Sequence, residues 1–178
     1  MKSALATVSK AESGRKILFL ALGENASPEM IGNAEIRYMP YRSDPKSVAD
    51  FYRAADVYLH AAKADTFPNA ILEALSCGTP VIGTNVGGIP EQVKGWNASG
   101  SQTSSLNSYQ ETEATGLLVE AGDSDGFADA MTLLMNRDKT REQLGSNAAS
   151  DAIIRFPIAK QLQAYLDWYK EILEKEKQ

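Results

Sequence analysis

Two carboxylates and the residues between them carry the first chemical signal. Asp65 stands ahead of Thr66-Phe67-Pro68-Asn69-Ala70, and Glu73 follows after seven intervening residues. The intervening stretch has the composition of a helix start, with Thr66 or Phe67 at the N-cap and Pro68 near the first helical position, where a missing N–H costs nothing. The unpaired amides of that first turn, around Asn69 and Ala70, carry the positive end of the helix dipole and favour a phosphate. Gly78 supplies the stop. Further on, Gly87-Gly88 precedes Ile89-Pro90, a second glycine turn into a helix, where the backbone can approach a ligand closely. Two helix starts opening on one crevice suit a diphosphate better than a single phosphate.

Helical spacing sorts the side chains of the first of these helices. Ile71, Ala74 and Leu75 share a face that packs on a sheet, whereas Asn69, Glu73, Ser76 and Cys77 share another. Alone, Glu73 reads as an ordinary exposed helix residue; its spacing from Asp65 and from the glycine turns makes it a site candidate. Because helical side chains lean toward the N-terminus, its carboxylate points back at the anion-binding end, beside Asn69. Two carboxylates disfavour a phosphate alone, so each is expected to meet hydroxyl groups, Glu73 those of a ribose. A sugar joined to a nucleotide supplies both kinds of group. His60 ends a strand at the same edge, where it touches the sugar or serves as a hydrogen-bonded structural residue. Lys63 and Lys94 are within reach of phosphates, with a solvated surface role the plainer reading. Cys77 is expected to be a small buried residue, not a reactive thiol.

The elements that must hold these residues alternate in type. Short apolar runs at Lys16 to Leu22, Glu35 to Met39, Asp56 to His60, Pro80 to Thr84 and Gly116 to Glu120 alternate with amphipathic stretches. This predicts an α/β fold, a parallel sheet with helices on both faces and ligands at the carboxyl ends of the strands. After residue 120 the pattern is all helical, and Ile158, Leu162, Tyr165, Leu166 and Tyr169 form one apolar stripe. That stripe either closes the sheet or receives another domain. Residues 97–115 are rich in Ser, Thr, Asn, Gln and Glu, with Leu106 and Tyr109 the large exceptions, and are expected to be a mobile insertion. The Asn-Ala-Ser sequons at Asn25 and Asn97 read as chance matches.

Composition narrows the function classes. At 178 residues and 43% hydrophobic the chain suffices for one α/β domain, residues 1–178, but not for two. A net charge of -5 provides no general attraction for nucleic acid or anionic lipid, so any phosphate site is local. No run reaches the roughly 18 apolar residues of a membrane span, and the first residues lack the apolar stretch of a secretory signal. The expected compartment is the cytoplasm. His60 and Cys77 are the sole histidine and cysteine, which removes most support for zinc hydrolysis or Ser-His-Asp chemistry; no metal is expected.

The run from Asp65 to Glu91, "DTFPNAILEALSCGTPVIGTNVGGIPE", resembles the donor-site signature of family-4 retaining glycosyltransferases of the GT-B fold. Upstream, "IRYMPYRSDPKSVADFYRAADVYLHAAKAD" is similar to that family's strand, base-binding loop and helix end; downstream, "TGLLVEAGDSDGFADAM" is similar to its next strand and helix. The resemblance covers most of the chain apart from the insertion and the first dozen residues. It implies one Rossmann-like half of a GT-B enzyme, the C-terminal donor-binding domain. By position it assigns Glu73 to the ribose hydroxyls and Asp65 to the transferred sugar. Phe67, Pro68, Asn69 and Ala70, with Gly87 and Gly88, line the sugar and diphosphate, and Met39, Tyr41 and Arg42 edge the base. The donor is a UDP- or GDP-linked sugar, transfer proceeds with retention, and no cofactor is needed.

Two departures qualify the match. Asp65 stands where the family often has Glu, which changes the reach of the charge. The family also places a diphosphate-gripping Arg and Lys in a strand and loop ahead of this chain's first residue, and an N-terminal acceptor domain beyond that. Turnover by the isolated chain is therefore not expected, and the full-length enzyme is expected to be cytosolic or peripheral to a membrane. A non-catalytic nucleotide-sugar-binding or interaction module is the alternative. A dinucleotide-dependent oxidoreductase is weaker, because Gly23 after "KILFLAL" lacks the further glycines of the fingerprint.

Overall fold

A computed structural model describes residues 1–96 and 108–175. The elements in chain order are α1 (Lys2–Ala11), β1 (Ile17–Leu22), β2 (Glu29–Ile31), β3 (Ala34–Met39), α2 (Pro45–Ala54), β4 (Tyr58–His60), α3 (Asn69–Ser76), β5 (Val81–Thr84), α4 (Ile89–Gln92), β6 (Gly116–Val119), α5 (Ser124–Met135), α6 (Asp138–Arg155) and α7 (Ile158–Lys175). All five apolar runs are strands; four are shortened by one or two residues at one end, and β3 begins one residue earlier, at Ala34.

The α/β class holds, but the strands form two sheets rather than one. β1 pairs in parallel with β3, which pairs antiparallel with β2; β4, β5 and β6 form a parallel sheet in that order. Every residue of β5 is buried, as expected of a central strand covered on both faces. Val81 lies opposite both Tyr58 and Gly116, and a Cβ at Gly116 would stand 2.0 Å from the Val81 carbonyl oxygen. β1 has a neighbour on one side only, and its Leu18 and Leu22 remain 50% and 40% exposed.

Helices cover both faces. Ala4, Leu5 and Val8 of α1 join Phe127, Met131 and Leu134 of α5, with Ile36, Ile82, Leu117 and Val119 from the strands, in one core cluster. Ile71, Ala74 and Leu75 of α3 join Val81, Ile89, Val93, Ala148 and Ala152 in a second. The sheet-facing stripe read for α3 is thus buried as expected.

Two elements lie outside the sequence expectation. α1 carries no side-chain cap, and Asn33 in the β2–β3 turn ties down its far end: the Asn33 side chain donates to the Glu12 carbonyl at 2.7 Å and its N–H to Ser9 Oγ at 2.9 Å. β2 is three residues long and turns back through Gly32 at φ +60°. No helix among the described residues is long and apolar enough to cross a membrane.

Residues 97–107, the greater part of the expected mobile insertion and the site of the Asn97 sequon, lie outside the described residues. The remainder, 108–115, is fastened to the domain. Tyr109 bridges to Trp96, Asn147 donates to the carbonyls of Glu111 at 3.0 Å and Ala114 at 2.9 Å, and Ala114 and Thr115 are buried. Small side chains fit the core there, and a side-chain amide satisfies the backbone, so polar composition did not prevent packing.

Candidate functional site

The loop after β4 is stitched to the β5–α4 turn. Thr84 Oγ1 donates to the Ala62 carbonyl at 2.7 Å, the Gly88 N–H to the Asp65 carbonyl at 3.2 Å, and Gln92 Nε2 to the Pro68 carbonyl at 3.1 Å. Gly87 and Gly88 make this closeness possible. A Cβ at Gly87 would stand 1.9 Å from the Asp65 carbonyl oxygen, one at Gly88 1.8 Å from that of Thr66, and Gly87 has φ +53°. Their close approach is therefore made to the acidic loop itself, whereas the sequence reading directed it at a ligand. α4 is a single turn with little dipole, and its opening amides are already engaged: Gly88 N–H with Asp65, Ile89 N–H with the Val86 carbonyl at 3.2 Å and Glu91 N–H with the Gly88 carbonyl at 3.1 Å.

α3 begins one residue later than expected. Pro68, buried, is its N-cap with ψ 122°, no side chain caps it, and Asn69 is the first helical residue. A fixed proline φ suits either position; the extended ψ makes it a cap. Of the first-turn amides of α3, that of Ile71 donates to the Pro68 carbonyl at 3.2 Å, and those of Asn69 and Ala70 lack intrahelical acceptors. Gly78 at φ +77° follows its last turn, as expected.

A cleft of about 650 Å³ lies between α3, α2 and the loop after β3. Asn69, Glu73, Ser76 and Cys77, the helix face singled out from spacing, line it together with Tyr41 and Arg42. Glu73 is exposed and receives the Tyr52 hydroxyl at 3.1 Å. The structure thus gathers four of the sequence-named residues, Tyr41, Arg42, Asn69 and Glu73, around one space.

The other residues assigned to the donor site do not line that cleft. Asp65 sits at the entrance to α3, its Oδ1 accepting from the Phe67 N–H at 3.3 Å, with Gly87 and Gly88 against its loop. Phe67 is 41% exposed and stands edge-on to Phe156 at 5.9 Å. Ala70 is half-buried on α3, and Met39 is half-buried at the end of β3, paired with Leu22.

A polar chain runs beneath these groups. Tyr58 OH and His60 Nδ1 are 3.1 Å apart, and His60 Nε2 lies 3.7 Å from Asp65 Oδ2, too far for a hydrogen bond, so this buried nitrogen is unsatisfied. Burial lowers the His60 pKa, and the Asp65 charge opposes that shift. Burial pushes the Tyr58 hydroxyl up to about 12. Cys77 is half-buried on the cleft wall, not fully buried as expected, and burial raises its thiol pKa. Lys94 is committed to Asp151 at 2.8 Å and lies over the Tyr109 ring, so it is neither a free surface cation nor a phosphate ligand in this structure.

Sequence reading missed the wall contributed by α2. Pro45, Val48, Ala49 and Tyr52 line the cleft at i, i+3, i+4 and i+7, and α2 buries no residue in the core. That periodicity is legible in the sequence; in the structure Tyr52 packs against the core as well as lining the cleft, and the rest of the stripe lines the cleft.

Residues 24–151 match the family described as glycosyl transferases group 1. N-acetyl-alpha-D-glucosaminyl L-malate synthase of Bacillus anthracis is 29% identical over 131 residues, 74% of this chain and 30% of that protein. D-inositol 3-phosphate glycosyltransferase of Saccharomonospora viridis is 31% identical over 137 residues, 77% of this chain and 27% of that protein. The chain therefore spans less than a third of the length of these curated relatives. Among solved structures, sucrose-phosphate synthase of Thermosynechococcus elongatus aligns with a TM-score of 0.70 at 19% identity, covering 98% of this chain and 42% of that one. HepE of Anabaena, in complex with UDP, aligns at 0.61 and 20% identity over 78% of this chain and 32% of that one. The structural likenesses carry the fold; the sequence match, running from the loop after β1 into α6, carries the family, and the chain belongs to the glycosyl transferases of group 1.

Proposed function

We propose that this chain is the C-terminal, donor-binding domain of a family-4 retaining glycosyltransferase of the GT-B fold, which binds a UDP- or GDP-linked sugar for transfer to an acceptor held by another domain. One observation carries the reading: Glu73, Asn69, Tyr41 and Arg42 line a single cleft beside the first turn of α3. In it Glu73 accepts from the ribose hydroxyls, Tyr41 and Arg42 border the base, and the α3 amides face the diphosphate. Asp65, at the entrance to α3, meets hydroxyls of the transferred sugar. The relatives' names and the UDP bound by HepE support a nucleotide-sugar donor.

The isolated chain binds donor without turning it over. Arg42 is the one cationic side chain lining the cleft among the described residues, and a departing diphosphate needs several preorganised donors. In the family pattern a strand and loop of the same domain carry the further cations, and an N-terminal acceptor domain positions the acceptor and excludes water. The stripe of α7 supports such a partner: Ile158, Leu162, Tyr165, Leu166 and Tyr169 are each at least 46% exposed.

NMR titration of the chain with UDP, GDP and their glucose and mannose conjugates tests the proposal. Chemical-shift changes should cluster at Tyr41, Arg42, Asn69 and Glu73. Changes confined to other surfaces, or no binding of any of these nucleotides, would overturn it.

A further inference from the structure

Glu73 is exposed on α3, and an exposed glutamate spreads over many rotamers. Its carboxylate makes one side-chain hydrogen bond among the described residues, accepting from the Tyr52 hydroxyl at Oε2, 3.1 Å away. Oε1 has no protein donor among those residues and is left for a ligand. The pair bridges α2 and α3 across the cleft that both residues line.

Tyr52 is fixed well enough to direct that carboxylate. Its carbonyl accepts from Thr79 Oγ1 at 2.7 Å and from the Ala55 N–H at 3.0 Å. Its ring stands edge-on to Tyr58, with centroids 5.4 Å apart and planes at 79°, and packs against the core cluster beneath α3. Burial, reinforced by Tyr58 and Glu73, drives the Tyr52 pKa far above the ordinary tyrosine value. The hydroxyl therefore keeps its proton and donates throughout the physiological range.

We propose that Tyr52 is a positioning residue: its hydroxyl selects the Glu73 rotamer and so creates the cleft's preference for a nucleotide bearing ribose hydroxyls. This rests on the donor-binding reading above. Tyr52 lies on a different helix from Glu73, at the end of the α2 stripe, and acts on the ribose through that carboxylate.

The test compares UDP and GDP with their 2′,3′-dideoxy forms, titrated into the native chain, Tyr52→Phe and Glu73→Gln and followed by NMR. Phenylalanine keeps the ring packing and removes only the hydroxyl. The native chain should prefer the ribonucleotide. Tyr52→Phe should weaken ribonucleotide binding about five- to tenfold, the scale of one ordinary net hydrogen bond, and leave dideoxynucleotide binding within about twofold. Glu73→Gln should lose the preference as well. A Tyr52→Phe chain that keeps the full ribose preference, or that loses affinity equally for both forms, overturns the positioning role while leaving the donor-binding reading intact. A native chain that binds neither UDP nor GDP, or shows no ribose preference, overturns the assignment of Glu73 to ribose, and the role of Tyr52 with it.

Discussion

Gly88 lies against Thr66 so closely that a methyl group on its Cα would stand 1.8 Å from the Thr66 carbonyl oxygen. The obstacle is backbone, which cannot swing aside as a flexible side chain can. Gly88→Ala must therefore push the acidic loop away from β5 and α4, breaking the hydrogen bond from the Gly88 N–H to Asp65. Overpacking of this kind costs about 1–3 kcal/mol, read as a lowered urea midpoint. Amide shifts at Asp65, Thr66 and Phe67 should move together. A variant with native stability and native loop shifts would show that the loop is not pinned by this contact.

Asp151 serves a second junction. Its carboxylate, 8% exposed, pairs with Lys94 at 2.8 Å and Arg155 at 2.7 Å, and Arg155 also donates to the carbonyls of Glu91 and Gln92 at the end of α4. Asp151→Ala leaves two cations beside a core that has lost its anion. Removing one partner of a buried pair costs about 3–5 kcal/mol, and the partial exposure of both cations places this case at the low end, about 3 kcal/mol, measured by equilibrium denaturation. A loss under about 0.5 kcal/mol would mean that solvent screens the whole cluster.

Neither junction is legible in the sequence, but the elements beside them are. The β5 run, flanked by Gly78 and by Gly87-Gly88, was legible because a continuous apolar run between turn residues permits few arrangements. The α3 face was legible because 3.6-residue periodicity separates Ile71, Ala74 and Leu75 from Asn69 and Glu73 regardless of context. α1 was not, since three small or medium apolar residues without a cap are a weak pattern, and tertiary contacts with α5 and Asn33 decide its state. The Gly87-Gly88 pair reads in sequence as a close approach to a ligand, and in the structure the missing Cβ atoms make room for the acidic loop. Sequence shows that a Cβ is missing, and coordinates are required to show that the space is filled by residues 65 and 66. Tyr52 is not legible as a wall residue because the α2 stripe of proline, valine, alanine and tyrosine has the periodicity of any core-facing stripe, and sequence does not show which surface it meets.

α7 buries none of its residues. Deleting the chain from Ile158 onward should therefore change the unfolding free energy of the remainder by less than about 0.5 kcal/mol, although 18 helical residues go with it. Phe156, which meets the Phe67 ring, is retained in that truncation. Sedimentation should show less self-association after the cut, because the exposed Ile158, Leu162, Tyr165, Leu166 and Tyr169 stripe is removed. A large drop in stability would mean that the helix folds back on the domain in solution.

His60 predicts how the β4 end of the site responds to acid. Its side chain is 15% exposed, Tyr58 OH faces Nδ1, Asp65 stands 3.7 Å from Nε2, and burial holds the folded-state pKa below the ordinary 6.5 despite the Asp65 charge. Over the interval between the two pKa values the unfolded chain binds more protons than the folded one, so stability rises with pH there. His60's contribution is fully present above pH 6.5, falls as the pH drops below that value, and levels off once the pH passes under the folded-state pKa. Urea midpoints measured from pH 7.5 to pH 5 should thus fall more steeply for the native chain than for His60→Gln, which has no titrating ring; comparing the two removes the common contribution of the carboxylates. A native chain that instead gains stability relative to the variant on acidification would mean that attraction to Asp65 outweighs burial and that the imidazolium is the form the fold prefers.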